Sequence, residues 1–96
     1  MSISVKQKQF LKAKAHHLKP VVITGAAGMT EAVLNEIDLA LSHHELIKVK
    51  MNAGSKEERE SMITEVVEQL GASEIQHIGR VGIFYRAAKE PKLVLP

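Results

Sequence analysis

Between residues 20 and 51 the chain runs from a β-branched segment through a glycine loop and an amphipathic helix to an alternating strand, and that order constrains the fold more than any other feature. Val21-Val22-Ile23 has the composition of a short strand buried on both faces, and it stops at Gly25-Ala26-Ala27-Gly28. Thr30 stands where it can cap a following helix. In that helix Val33, Leu34, Ile37 and Leu41 share one side, Glu31, Glu36 and Asp38 lie largely off it, and the pattern runs to about His44. Ile47, Val49 and Met51 then alternate with Leu46, Lys48 and Lys50, which predicts a strand with one apolar face and one largely basic face. A strand, a glycine turn, a helix and a strand make one βαβ unit, expected to be right-handed.

The flanking segments complete an α/β pattern. Ser4 followed by Gln7 is a capping box, and Leu11, Ala15 and Leu18 recur at helical spacing, so a first helix is expected from about Val5 to His17, ended by Pro20. At 100° per residue Lys8 and Lys12 fall side by side at the edge of that seam, with Lys14 on its other flank. Ser55 and Glu58 form a second capping box, Met62, Ile63, Val66, Val67 and Leu70 give a third helical stripe, and Gly71 supplies its stop. Glu74 to Ile78 and Val81 to Arg86 flank Gly79-Arg80 as a hairpin, and Pro91 and Pro96 bracket a short apolar tail. The expected architecture is a compact α/β domain in the order α-β-α-β-α-β-β, three helices on a mixed four-stranded sheet, with residues 1–96 forming one domain. With 45% hydrophobic residues the chain can fill one core and not two.

Composition removes several classes of function. Without cysteine there is no disulfide framework, thiolate metal site or cysteine nucleophile. No run approaches the roughly 20 apolar residues of a membrane span, and Met1 to Lys6 lacks the apolar stretch of a secretory signal, so a soluble cytoplasmic protein is expected. The net charge is only +2, but its distribution is uneven. From Met1 to Thr30 the chain carries Lys6, Lys8, Lys12, Lys14 and Lys19 and no acid, whereas Glu31 to Glu45 carries Glu31, Glu36, Asp38 and Glu45 and no lysine or arginine. An acid-free lysine segment leading to a glycine loop suits a polyanion.

The loop has a second property that fits this partner. Gly25 and Gly28 sit between a strand and a helix N-terminus, so backbone N–H groups and the helix dipole face an approaching anion, and G-x-x-G loops clamp sugar-phosphate backbones in KH-type modules. Catalytic readings lack their residues. The loop has neither the spacing nor the lysine of a nucleotide-hydrolysing P-loop. His44-Glu45 is not followed by the second histidine of a zinc protease motif, and the neighbours His16-His17 and His43-His44 diverge by about 100° on a helix, so no metal is expected. Glu57, Glu58, Glu60, Glu65 and Glu68 read as the solvated face of the third helix. Phe84 and Tyr85 must face opposite sides of their strand, so no aromatic stacking platform is available.

Four segments together carry a family resemblance: Leu18-Lys19-Pro20-Val21-Val22-Ile23, Gly25-Ala26-Ala27-Gly28-Met29-Thr30, His43-His44-Glu45-Leu46-Ile47-Lys48-Val49-Lys50 and Gly79-Arg80-Val81-Gly82-Ile83-Phe84-Tyr85-Arg86. Over nearly the whole chain, and in the same order, they resemble the bacterial YhbY-like proteins, which are stand-alone CRM (chloroplast RNA splicing and ribosome maturation) domains. The resemblance implies a fold similar to the C-terminal domain of a bacterial translation initiation factor. It also implies a non-enzymatic, cofactor-free protein that binds RNA, specifically ribosomal RNA in a precursor of the large subunit, with no membrane or small-molecule partner. By position, the RNA surface then comprises Gly25, Ala26, Ala27 and Gly28 with Lys8, Lys12, Lys14 and Lys19, and Lys48, Lys50 and Arg86 are further candidates. Because Ala26 and Ala27 bring no polar side chain, the loop is expected to fix geometry and the lysines to supply most of the affinity. The competing expectation is a protein-interaction adaptor that uses the acidic second and third helices.

Overall fold

Each helix starts where a side chain can satisfy its first amides. The computed structural model describes residues 3–25, 27–52 and 54–96, and runs α1 (Val5–Ala15), β1 (Pro20–Thr24), α2 (Glu31–His44), β2 (Leu46–Met51), α3 (Lys56–Leu70), β3 (Ser73–Ile78) and β4 (Val81–Tyr85). The Ser4 hydroxyl accepts from Gln7 N–H at 3.1 Å while the Gln7 side chain accepts from Ser4 N–H at 3.0 Å, the full reciprocal box. Thr30 caps α2 by accepting from Val33 N–H at 3.2 Å. Ser55 caps α3 by accepting from Glu58 N–H, and here the Glu58 carboxylate takes the Ser55 hydroxyl instead of reaching back to the backbone. Gly71 closes α3 in the left-handed conformation.

The strands form one mixed sheet in the order β1-β2-β4-β3. β1 and β2 are parallel, as the βαβ pattern requires, and β2–β4 and β3–β4 are antiparallel. Gly79 at φ 57 with Arg80 at negative φ joins β3 to β4 as a type II′ turn does, and the Arg80 carbonyl accepts from Met51 N–H to close the end of β2. The Cα radius of gyration is 12.5 Å, against about 13 Å for a compact domain of this length, so one folded unit accounts for the described residues.

Two apolar layers sandwich the sheet. On one face α2 and α3 bury Ile37, Leu41, Met62, Ile63 and Val66 against Val22, Ile47, Val49, Met51 and Phe84. On the other, α1 buries Leu11 and Ala15 against Leu46, Ile75, Ile83 and Tyr85, with Leu93 and Leu95 of the tail at the margin. A fully buried leucine such as Leu11 or Leu41 contributes about 2–3 kcal/mol by transfer from water.

Two expectations need correction. The first helix ends at Ala15, with His16 as its C-cap, so Leu18 lies beyond it and is 37% exposed instead of completing the seam. And β1 is not buried on both faces: Val22 and Thr24 are buried, but Val21 and Ile23 are 50% and 60% exposed. The reason is positional. β1 is an edge strand, and α1 packs on β2, β3 and β4, which leaves the β1 corner of that face uncovered.

Glu45, between α2 and β2, ties the C-terminal segment to this frame. It is fully buried at φ 64, ψ −46, close to the strained γ-turn region for a residue with a side chain. Its carboxylate accepts from the N–H groups of Ala88 (2.9 Å), Lys92 (2.7 Å) and Leu93 (2.9 Å), and its own carbonyl accepts from Arg86 N–H (2.9 Å). Burial by itself raises the carboxyl, but the three backbone donors and the charge of Lys92 outweigh it and hold the group below its ordinary value. A carboxyl lowered on folding stabilises fully above its unfolded value of about 4.3, and that contribution disappears as pH falls through the lower folded value. Acidification below about pH 4 is therefore expected to release the tail first, read as a loss of amide-exchange protection relative to the intrinsic rate at Ala88, Lys92 and Leu93 while the β2 and β4 amides stay protected.

Candidate nucleic-acid interface

The βαβ unit, α1 and the hairpin bring most of the lysines anticipated from sequence to one side of the sheet. In the register of the three pairings, Ile23, Lys50, Val81 and Ile78 form one row across all four strands, and Pro20, Lys48, Ile83 and Gln76 form the next. Both rows lie on the α1 face. α1 overlies the Leu46–Tyr85 end of the sheet, where Leu11 and Ala15 pack, and the Ile23 row lies beyond it. Lys12 and His16 of α1 meet Lys48 across a depression of about 280 Å³. Its floor is Pro20, Gln76, Ile78, Val81 and Ile83, and no acid lines it among the described residues.

A second basic site adjoins the first. Pro20 pairs with Lys48, so Lys19 comes immediately before that row. Lys19 and Lys14 flank a hollow of about 410 Å³ between the end of α1, β1 and the tail, lined otherwise by Leu18, Val21, His44, Leu46, Ile47 and Leu93. Lys14 Nζ also lies 5.6 Å from the centre of the Phe10 ring, a cation–π contact that steadies it. Lys14, Lys19, Lys12, Lys48 and Lys50 thus form a basic track around the open corner of the sheet.

Two anticipated residues do not join it. Lys8, though exposed, lies one turn before Lys12 on α1 and lines a separate groove with Val67, Ser73 and Glu74, where an acid is its neighbour. Arg86 is spent inside the molecule. Its Nη1 donates to Asp38 Oδ1 at 2.7 Å and to the Leu70 carbonyl at 2.9 Å, and its Nη2 donates to the Asp38 carbonyl and the Ser42 hydroxyl, both at 3.0 Å. This guanidinium holds α2 and the end of α3 together, with both terminal nitrogens engaged within the fold.

The glycine loop starts two residues past the Ile23–Lys50 pair, so it sits at the open end of the track. Ala26 lies outside the described residues. Gly28, at φ 73, donates its N–H to the Gly25 carbonyl at 3.0 Å, and its carbonyl accepts from Thr30 N–H at 3.1 Å. The loop is therefore closed on itself as a turn, and one N–H that a phosphate could use is already engaged. Glu31 in the first turn of α2 further opposes an anion at the helix N-terminus. A Cβ at Gly28 would meet only Met62 Sδ at 3.8 Å, an ordinary contact, so the need for glycine is conformational. Gly28→Ala is expected to lower stability by about 1 kcal/mol in urea unfolding, through the positive φ alone.

Sequence reasoning missed the open sheet corner, because it assigned Ile23 to a buried strand. The aromatics do not contribute to that corner: Phe84 and Tyr85 are buried on opposite faces. Burial, and then the nearby Glu45 charge, push the Tyr85 phenol up from its ordinary value. Among the described residues no helix is long and apolar enough to cross a membrane, and no three histidine or acidic side chains gather as a metal site.

Comparison with known proteins places this geometry. The domain described as CRS1 / YhbY (CRM) matches residues 3–86. An RNA-binding protein of Haemophilus influenzae is 48% identical over 95 residues, covering 99% of this chain and 96% of its own length. The "Probable RNA-binding protein YqeI" of Bacillus subtilis is 34% identical, with 93% of each chain covered. Among solved structures, the solution structure of SAV1595 from Staphylococcus aureus superposes with a TM-score of 0.85 at 28% identity, over 99% of this chain and all of that one.

Proposed function

This chain belongs to the CRS1 / YhbY (CRM) domain family, and from that premise we propose that it is a non-catalytic RNA-binding protein of the cytoplasm that associates with ribosomal RNA in precursors of the large subunit and assists their assembly. The observation that carries this reading is the basic track of Lys12, Lys14, Lys19, Lys48 and Lys50, free of acids where Lys12 faces Lys48, with the glycine loop at its end. Lysines at that density neutralise phosphates without reading bases, which suits a protein that holds a folded RNA precursor and makes or breaks no bond. The loop, closed on its own carbonyl, sets where the backbone of the RNA lies, and the lysines supply the affinity. The names of its relatives in Haemophilus and Bacillus support RNA as the partner.

Filter binding of a large-subunit rRNA fragment across a salt series tests this. Each engaged lysine releases about one counterion, so log K should fall against log salt with a slope of roughly −3 to −4 if four or five phosphates are contacted. A protein with no RNA affinity at low salt is not what this reading describes. The acidic face of α3, where Glu57, Glu58, Glu60, Glu65 and Glu68 are all exposed, then becomes the surface to pursue as an adaptor for a basic protein.

A further inference from the structure

The row Ile23–Lys50–Val81–Ile78 is unusual for a surface that meets only water. Ile23 and Ile78 are each 60% exposed, Val81 is half-buried, and the sheet face carrying them has no helix over it beyond α1. Scattered apolar residues on a surface need no account, but here three β-branched side chains share one cross-strand row and continue into the Lys12–Lys48 depression. A second copy of the chain is a poor occupant. An isologous contact would set Lys50, Lys48 and Lys12 of both copies against one another with no acid to offset them in the depression.

A ligand suited to this face carries flat apolar surfaces and negative charge in alternation. We propose that the open half of the sheet seats unpaired bases of the bound RNA on Ile23, Val81 and Ile78, while Lys50, Lys48 and Lys12 hold the phosphates between them. The inference rests on the RNA reading above and narrows it from backbone binding to single-stranded segments. Bases inside an A-form duplex are stacked on one another, so their faces are hidden and only unpaired nucleotides can present a face to this row. The four strands span about 14 Å from Ile23 to Ile78, the width on which RRM modules seat two or three bases. With both strand aromatics buried, the contact is aliphatic, so it is weaker than aromatic stacking and tolerant of sequence. The same contact gives the exposure of Ile23 and Ile78 a purpose.

The test compares a short labelled single-stranded RNA with a duplex carrying the same number of phosphates, by fluorescence anisotropy at one salt concentration. Ile23→Ser with Ile78→Ser changes exposed positions, so native circular dichroism and melting are expected. The double variant should bind the single strand about tenfold more weakly and the duplex as before, with an unchanged salt slope, and Ile78→Phe should strengthen single-strand binding severalfold. Unchanged single-strand affinity in the double variant, or equal loss on both probes, overturns the proposal and leaves the RNA reading standing. Binding of neither probe by the wild-type protein overturns both. A change in the sedimentation of the protein alone, with no change in RNA affinity, would assign the row to self-association instead.

Discussion

Glu45→Ala is expected to lower the unfolding free energy by about 3–4 kcal/mol, the larger part of it through release of residues 88–93. The side chain is fully buried and is the acceptor for three backbone N–H groups, so its removal orphans all three at once. Hydrogen bonds to a charged group contribute about 1.5–3 kcal/mol each, and water reaching the freed tail recovers part of that. For a domain with roughly 5–15 kcal/mol in total, the fall in Tm should be on the order of 15–25 °C. Glu45→Gly separates the clamp from the backbone. It loses the same three bonds but relieves the positive φ, so it should be about 1 kcal/mol less destabilising than alanine in thermal or urea unfolding. Equal losses for the two would mean that the backbone there is not strained.

Lys12→Glu combined with Lys48→Glu is expected to weaken RNA binding by on the order of 10²–10³-fold while leaving the fold intact. The two side chains face each other across the same depression, Lys12 exposed and Lys48 half-buried, and among the described residues no acid lines it. Each reversal removes an attraction of about 1 kcal/mol for a nearby phosphate and adds a repulsion of similar size, about 2 kcal/mol per position at low salt. The salt slope should also become shallower by about two. The same pair of changes at Lys8 and Lys14 should have a smaller effect, because Lys8 lies outside the depression, one turn back along α1 beside Glu74. Anisotropy with an rRNA fragment, alongside circular dichroism, measures both pairs.

What the sequence disclosed was mostly local. The caps at Ser4, Thr30 and Ser55 depend on partners three residues away, so they are legible wherever the pattern occurs. The βαβ unit and the basic face of β2 follow from period-two alternation and glycine placement. The family resemblance read from four segments agrees with the CRS1 / YhbY match over residues 3–86. What stayed hidden depends on which strand lies next to which. Val21-Val22-Ile23 reads the same whether the strand is central or at an edge, and only the order β1-β2-β4-β3 and the reach of α1 leave Ile23 open. Arg86 showed only its charge, because Asp38, Ser42 and Leu70 are between 16 and 48 residues away. Glu45 did leave a trace: an acid at the C-terminal end of α2 opposes the helix dipole, and such a residue calls for donors from elsewhere. Those donors lie 43–48 residues further on, beyond any local pattern.

The measurement closest to the central claim is ultraviolet crosslinking of the protein in growing cells, followed by sequencing of the attached RNA. The predicted result is enrichment of large-subunit ribosomal RNA, in molecules whose ends are still unprocessed, with crosslinks at unpaired nucleotides and lost in the Lys12→Glu, Lys48→Glu variant. Crosslinks spread over messenger and transfer RNA in proportion to abundance, or retained in that variant, would contradict it.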